Sequence, residues 1–133
     1  MEIGEVVGGD ATVCGPDTTV AAAAGIMINE QIGSLGVFDG GRLVGIFTER
    51  DVLRAVADGR NLDRSSVGEF MTPEPDSLAP DVDAFDAAEW LLATGYRHLP
   101  IMEDGHLLGI ASIKDVLWAV TETHQTLLGR EEE

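Results

Sequence analysis

Gly45-Ile46-Phe47-Thr48-Glu49-Arg50-Asp51 returns, 64 residues later, as Gly109-Ile110-Ala111-Ser112-Ile113-Lys114-Asp115. In each copy an apolar stretch of strand character ends on a hydroxyl residue, and an acid follows three positions on. The same offset, without a gap, pairs Pro16-Asp17 with Pro80-Asp81, Ala23-Ala24 with Ala87-Ala88, Leu35 with Leu99 and Gly41 with Gly105. It carries Leu43 onto Leu107, Val52-Leu53 onto Val116-Leu117, Ala55-Val56 onto Ala119-Val120, and Gly4-Glu5 onto Gly68-Glu69. So many identities in one register mark an internal duplication. Two copies are too few for a solenoid and fit a pseudo-two-fold pair.

Each copy reads β-α-β-β-α. A short extended piece (Ala11–Cys14; Asp76–Leu78) leads through Pro-Asp into a helix (Val20–Glu30; Ala84–Thr94). Asp17-Thr18-Thr19 and Asp81-Val82-Asp83 supply cap chemistry at the helix starts. Helical spacing puts Val20, Ala23, Ala24, Met27 and Ile28 on one face of the first helix, and Phe85, Ala88, Leu91 and Leu92 on one face of its counterpart. Two strands follow in each copy, Leu35–Phe38 with Leu43–Phe47 and Leu99–Met102 with Leu107–Ala111. Asp39-Gly40-Gly41 and Glu103-Asp104-Gly105 join them as hairpin turns. Helices over Glu49–Ala57 and Ile113–Thr121 close the copies. The domain reading is 1–58 and 67–124, with a polar linker at 59–66 and a disordered acidic tail at 125–133.

The chain has 133 residues, the length of one ordinary domain or of two half-size units. Only 5% of residues are aromatic, so the core must be built from Val, Ile, Leu and Ala. No apolar run approaches the roughly 18 residues of a membrane span. The first residues lack the basic and apolar pattern of a secretory signal. Cys14 is the one cysteine, so no internal disulfide is available and a cytoplasmic location is the expectation. It lies in the apolar Thr12-Val13-Cys14 run without an adjacent cation, which points to a buried, unreactive thiol. The formal net charge is −16, and Lys114 is the only lysine. Such a field repels nucleic-acid phosphates and disfavours a general nucleic-acid partner. It suits a highly soluble acidic protein, and also one adapted to high salt, where self-repulsion is screened.

The junction of strand and helix at Thr48 and at Ser112 presents unpaired N–H groups and the positive end of the helix dipole, where a phosphate or ribose docks. An acid on the first turn accepts hydrogen bonds from ribose hydroxyls, as in dinucleotide-binding folds. Thr48-x-x-Asp51 and Ser112-x-x-Asp115 are equally capping boxes. The recurrence in a five-element context is what raises the motif above two helix caps.

Both copies resemble cystathionine-β-synthase (CBS) domains. The resemblance rests on Leu43-Val44-Gly45-Ile46-Phe47-Thr48-Glu49-Arg50-Asp51 followed by Val52-Leu53-Arg54-Ala55, and on Leu107-Leu108-Gly109-Ile110-Ala111-Ser112-Ile113-Lys114-Asp115 followed by Val116-Leu117. Leu99-Pro100-Ile101 and Phe70-Met71-Thr72-Pro73 also suit the family. The resemblance covers roughly residues 1–123 and implies an α/β (α+β) fold in which two CBS repeats form one pseudo-symmetric module. It further implies two clefts that take adenine-containing nucleotides (AMP, ADP or ATP, the last with Mg²⁺ to screen its charge), and association into homodimers.

Carried over residue by residue, the resemblance gives a preferred cleft in which Ser112 and Asp115 hold the ribose. Arg97 and His98 would face phosphate with Lys114 nearby, and Ile110 would flank the base with Thr18 and Ala23 from the first copy. The other cleft would use Thr48, Asp51, Arg50, Ile46 and Ser34. There Gly33-Ser34 replace Arg97-His98, and Gly36 replaces Pro100, which removes phosphate-facing charge. His106 and Arg42 fall beside turns, and His124 has no evident partner. His98, His106 and His124 lack metal-ligand spacing, no cysteine pair exists, and neither Gly-x-Ser-x-Gly nor a phosphate-loop Gly-Lys-Thr/Ser occurs. The expectation is a regulatory sensor of adenine nucleotides acting on a partner, requiring no cofactor and no metal. A ligand-independent scaffold, with Trp118 at an interface or in the core, is the alternative, and an enzyme acting on a nucleotide ranks third.

Overall fold

The computed structural model describes residues 1–7 and 11–132, the side chains of residues 123–132 excepted. Its elements are β1 (Val13–Cys14), α1 (Val20–Glu30), β2 (Ser34–Asp39), β3 (Arg42–Thr48), α2 (Glu49–Ala57), α3 (Val67–Phe70), β4 (Thr72–Pro73), α4 (Ala84–Thr94), β5 (His98–Glu103), β6 (His106–Ser112) and α5 (Ile113–Glu132). A single 3-10 turn, Ile3–Glu5, precedes them. The last helix thus runs beyond the Thr121 expected for it. His124 and the tail at 125–133 have side chains outside the described residues.

The chain divides into two compact units, Ala11–Pro75 and Met1–Asp10 together with Asp76–Glu133. In the first unit the sheet order is β1-β2-β3-β4, with β1 parallel to β2 and the other pairs antiparallel. The second unit has the β5-β6 hairpin. The extended piece at Asp76–Leu78 contributes only a bridge there, Leu78 to Ile101, flanked by Leu78 N–H to Pro100 O (3.0 Å) and Met102 N–H to Leu78 O (2.9 Å). Both hairpins turn on two residues at positive φ, Gly40 (60°) with Gly41 (76°) and Asp104 (51°) with Gly105 (80°). Type I′ turns need this, and it matches the twist of the strands they join.

The helix starts are capped as their residues dictate. The Thr19 hydroxyl accepts from Ala22 N–H and the Asp83 carboxylate from Phe85 N–H. The buried side of α1 is Val20, Ala23 and Met27, and that of α4 is Ala84, Ala87, Ala88 and Leu91. This corrects the expected faces at their edges. Ile28 is 78% exposed and its counterpart Leu92 68%, and Phe85 also faces solvent. A helix on a single sheet layer buries a stripe only one or two residues wide. Ile28, Leu92 and Phe85 lie just outside it. Leu35, Val37, Phe47, Ala55, Val67 and Phe70 complete the first core, and Ile3, Leu99, Ile101, Ala111 and Val116 the second.

The opening segment of each repeat packs away from the repeat it introduces. Ile3 N–H donates to Val82 O (2.7 Å) and Gly4 N–H to Pro80 O (2.9 Å), so residues 1–7 join the unit of the second repeat. Val67 N–H donates to Thr18 O (2.8 Å) and Gly68 N–H to Pro16 O (2.9 Å), so residues 67–73 join the unit of the first. Each of these pairs maps on the other by the offset of 64 residues. Ile3 and Val67 are both fully buried. The driving force is therefore the same in both units: one aliphatic side chain fills the core while its backbone continues the hydrogen bonding of the Pro-Asp turn.

Candidate functional site

The second-repeat motif lies where β6 runs into α5. Asp115 N–H donates to the Ser112 hydroxyl (3.0 Å), and Ser112 N–H donates to Asp115 Oδ2 (3.3 Å). The first-repeat motif, between β3 and α2, has the same capping box, with Thr48 N–H donating to Asp51 Oδ2 (2.9 Å) and the Thr48 hydroxyl 3.2 Å from that oxygen. The capping reading of both motifs therefore holds, and it accounts for one carboxylate oxygen of each acid.

The two acids differ in everything else. Asp51 is 4% exposed, and its Oδ1 accepts from Arg54 Nη1 at 3.3 Å. Asp115 is exposed, and the position that corresponds to Arg54 is Trp118. Asp115 thus has no cation one turn along its helix. It lines a concavity of about 370 Å³ with Met1, Glu5, Val6, Trp118, Ala119 and Glu122, all within one unit. Trp118 is 67% exposed, so it stands outside the core. Asp115 therefore lines an open concavity together with Trp118, whereas Asp51 is enclosed and paired with an arginine.

The structure brings Arg97, His98, Ile110 and Lys114 to the same strand-helix junction. His98 is paired with Ser112, and Ile113 N–H donates to Arg97 O (2.8 Å). Arg97 and Lys114 are exposed, while Ile110 and His98 are partly covered. The equivalent junction of the first repeat pairs Ser34 with Thr48, and Glu49 N–H donates to Gly33 O (3.1 Å). A Cβ at Gly33 would stand 3.0 Å from Glu49 Oε1, so a carboxylate occupies the space where the second repeat carries the Arg97 side chain. Its counterpart in the second repeat is the neutral Ile113. Here Ile46 is buried and Arg50 exposed.

Thr18 and Ala23 belong to the other unit. The Thr18 hydroxyl accepts from Gly15 N–H at 3.2 Å, and Ala23 is fully buried in the first core. Arg54, Glu49 and Trp118 are the residues at these junctions that sequence reasoning passed over as site residues. The signal was present: Asp51 to Arg54 is an i, i+3 spacing that lets opposite charges meet on a helix. Comparing copies at that position would have shown Arg54 against Trp118.

The Cys14 thiol is half-buried, and burial pushes its pKa up against the smaller effect of a hydrogen bond with Thr18. Among the described residues no helix is long and apolar enough to cross a membrane.

Comparison with known proteins agrees with this architecture. The CBS domain family model matches residues 3–58 and 67–122. A 17.7 kDa protein of Acidianus ambivalens is 40% identical over 117 residues, which are 86% of this chain and 70% of that protein. The mitochondrial CBS domain-containing protein CBSX3 of Arabidopsis thaliana is 34% identical over 123 residues, 88% of this chain and 60% of the relative. Among solved structures, a CBS-domain containing protein from Agrobacterium tumefaciens superposes with a TM-score of 0.81 at 34% identity, over 90% of this chain and 98% of that one. CBSX2, solved in complex with AMP, superposes with a TM-score of 0.74 at 27% identity, over 92% and 98% of the two chains. The duplicated strand-hydroxyl-acid motif, its β-hairpin and two-helix setting and these matches place the chain in the CBS-domain family, with two CBS domains in tandem.

Proposed function

We propose that the chain is a regulatory, non-catalytic module that binds an adenine nucleotide of the AMP, ADP or ATP type at the Ser112–Asp115 junction and passes the occupancy of that site to a partner protein. The observation that carries this reading is the exposed Asp115 carboxylate, which lines a concavity and has one oxygen left over by the capping box. Ribose hydroxyls donate to a carboxylate of this kind. Ser112 adds a hydroxyl, Ile110 an apolar flank for the base, and Arg97, His98 and Lys114 the charge for phosphate. A monophosphate suits three basic groups in an acidic protein better than a triphosphate, which would need Mg²⁺ to offset repulsion from the surrounding carboxylates. The AMP complex of CBSX2, a structural relative, supports this choice of ligand class. Signalling then follows from differential affinity: a ligand favours the conformation that holds it more tightly.

The Thr48–Asp51 junction is the weaker candidate. Arg54 occupies the corresponding Asp51 oxygen, and the Glu49 carboxylate lies beside Gly33, the counterpart of Arg97.

Thermal unfolding of the protein with AMP, ADP, ATP, S-adenosylmethionine and NAD is the deciding experiment. A nucleotide that binds the folded state at a hundred times its Kd adds about 2.7 kcal/mol, several degrees in Tm. No rise with any of the five ligands would overturn the reading.

A further inference from the structure

The concavity beside Asp115 has a counterpart in the first repeat that holds two of the chain's own arginines. The offset of 64 residues equates Asp51 with Asp115, Arg54 with Trp118, Glu69 with Glu5, Phe70 with Val6 and Arg60 with His124. In the first unit Arg54 Nη1 donates to Asp51 Oδ1, Arg60 pairs with Glu69, and the Arg60 guanidinium lies 5.1 Å from the centre of the Phe70 ring. Two guanidinium groups thus serve two carboxylates and an aromatic face.

The second unit keeps the acids and loses the arginines. Glu5 accepts the Glu2 N–H through Oε2, just as Glu69 accepts the Ser66 N–H, so the two acids are held in the same way. Among the described residues no basic side chain pairs with Glu5. The chain also takes a different course: α2 ends at Ala57 and Arg60 N–H turns back to Ala55 O (3.1 Å), whereas α5 runs on through the equivalent point. What remains is a hollow lined by Val6, Ala119 and the exposed Trp118 indole together with Glu5, Asp115 and Glu122. The unit around it holds fifteen acidic residues against three basic ones.

We infer that this hollow docks a basic segment of a partner protein, whose arginine side chains take the places held in the first repeat by Arg54 and Arg60. Arginine is the occupant that the chemistry selects: its planar guanidinium stacks on an indole while its N–H groups donate to carboxylates beside it. Trp and Arg are also the side chains in which the energy of an interface concentrates. The field of the unit draws a cationic segment in and repels an acidic one. Asp115 belongs both to the hollow and to the proposed nucleotide site, but docking needs no nucleotide and stands or falls apart from that reading.

The test is calorimetric titration of the full chain, without nucleotide and at about 0.15 M salt, with an end-blocked peptide of alternating arginine and glycine. Saturable one-to-one binding is expected, about tenfold tighter than for the lysine counterpart of equal charge. Trp118→Ala, which changes no charge, should weaken binding about tenfold, and Glu5→Gln several-fold. Trp118→Arg should abolish it by installing within the chain the pairing that Arg54 makes with Asp51. Asp86→Asn with Glu89→Gln removes two exposed carboxylates of α4 outside the hollow and should leave the affinity within about twofold. Absence of saturable binding would overturn the inference, as would equal affinity for the lysine peptide or an unchanged Trp118→Ala variant. So would an equal loss in the α4 double variant, the mark of diffuse attraction to an acidic surface. Displacement of the peptide by an equal concentration of spermidine would overturn it in favour of a free polyamine.

Discussion

Gly4 and Pro80 touch so closely that only a glycine can make the contact: the Gly4 N–H donates to Pro80 O at 2.9 Å, and a Cβ on Gly4 would fall 2.7 Å from Pro80 Cβ. The equivalent pair, Gly68 and Pro16, is looser, with the nearest approach at 3.1 Å to Pro16 O. Gly4→Ala should therefore cost about 1–3 kcal/mol, the usual range for overpacking, and Gly68→Ala less. Urea denaturation of the two variants beside wild type measures the difference, and equal costs would show that the turn at Pro80 yields as readily as that at Pro16.

Asp51 and Asp115 should separate stability from binding. Asp51→Ala removes the acid of a buried capping box and leaves Arg54 without its carboxylate, at an expected cost of about 1–2 kcal/mol. Asp115→Ala removes an exposed capping acid whose bond from Ser112 N–H is long at 3.3 Å, so stability should fall less than for Asp51→Ala, by about 0.5–1 kcal/mol. Its effect should fall on adenine-nucleotide affinity, weakened about tenfold or more by loss of charge-assisted hydrogen bonds to ribose. Calorimetric titration with AMP beside thermal melts of both variants would read the two effects, and equal affinity losses would remove the distinction drawn between the junctions.

Glu69 links α3 to pH. Its carboxylate is held below the usual range, first by the Ser66 N–H, then by the Arg60 guanidinium. A group whose pKa is lower folded than unfolded contributes stability above its unfolded pKa, and that contribution is lost as pH falls through the folded value. Glu69→Gln should thus leave a shallower decline in Tm on acidification below about pH 4.5, the ordinary value from which the wild-type carboxylate is lowered. A parallel acid limb for the two proteins would argue against this coupling.

Cys14 should be slow to react. Its raised pKa reduces the thiolate fraction at neutral pH, and half-burial limits access. Alkylation by iodoacetamide at pH 8 should run several-fold slower than in the urea-unfolded chain. Thr18→Val should slow it further, since the hydrogen bond with Thr18 is what lowers the pKa.

The regular elements were legible in the sequence because their signals are local. The bounds of α1, α2 and α4 agree with the apolar spacing and the caps, and both hairpins follow from Gly40-Gly41 and Asp104-Gly105. Packing against distant residues was not legible. Repeat register equates Ile3 with Val67 but cannot say on which Pro-Asp turn either will settle, because both turns offer the same carbonyls. Nor does helical spacing separate Leu91, fully buried, from Leu92 beside it. At the site, the residue types at Ser112 and Asp115 were readable and their surroundings were not. That Arg54 reaches back to Asp51, and that Glu49 stands where Arg97 would otherwise project, depends on side-chain direction.

The crossed placement of the opening segments bears on how such a chain arose. A single repeat of this design, made alone, would bring a leading segment whose groove lies on another body and a groove waiting for another's segment. It would fill both by trading segments with an identical molecule. Fusion of two such half-length chains end to end would turn the trade into an internal one and leave every hydrogen bond in place. Cutting the present chain at the linker near Asn61 should therefore yield fragments that recover their cores only when mixed.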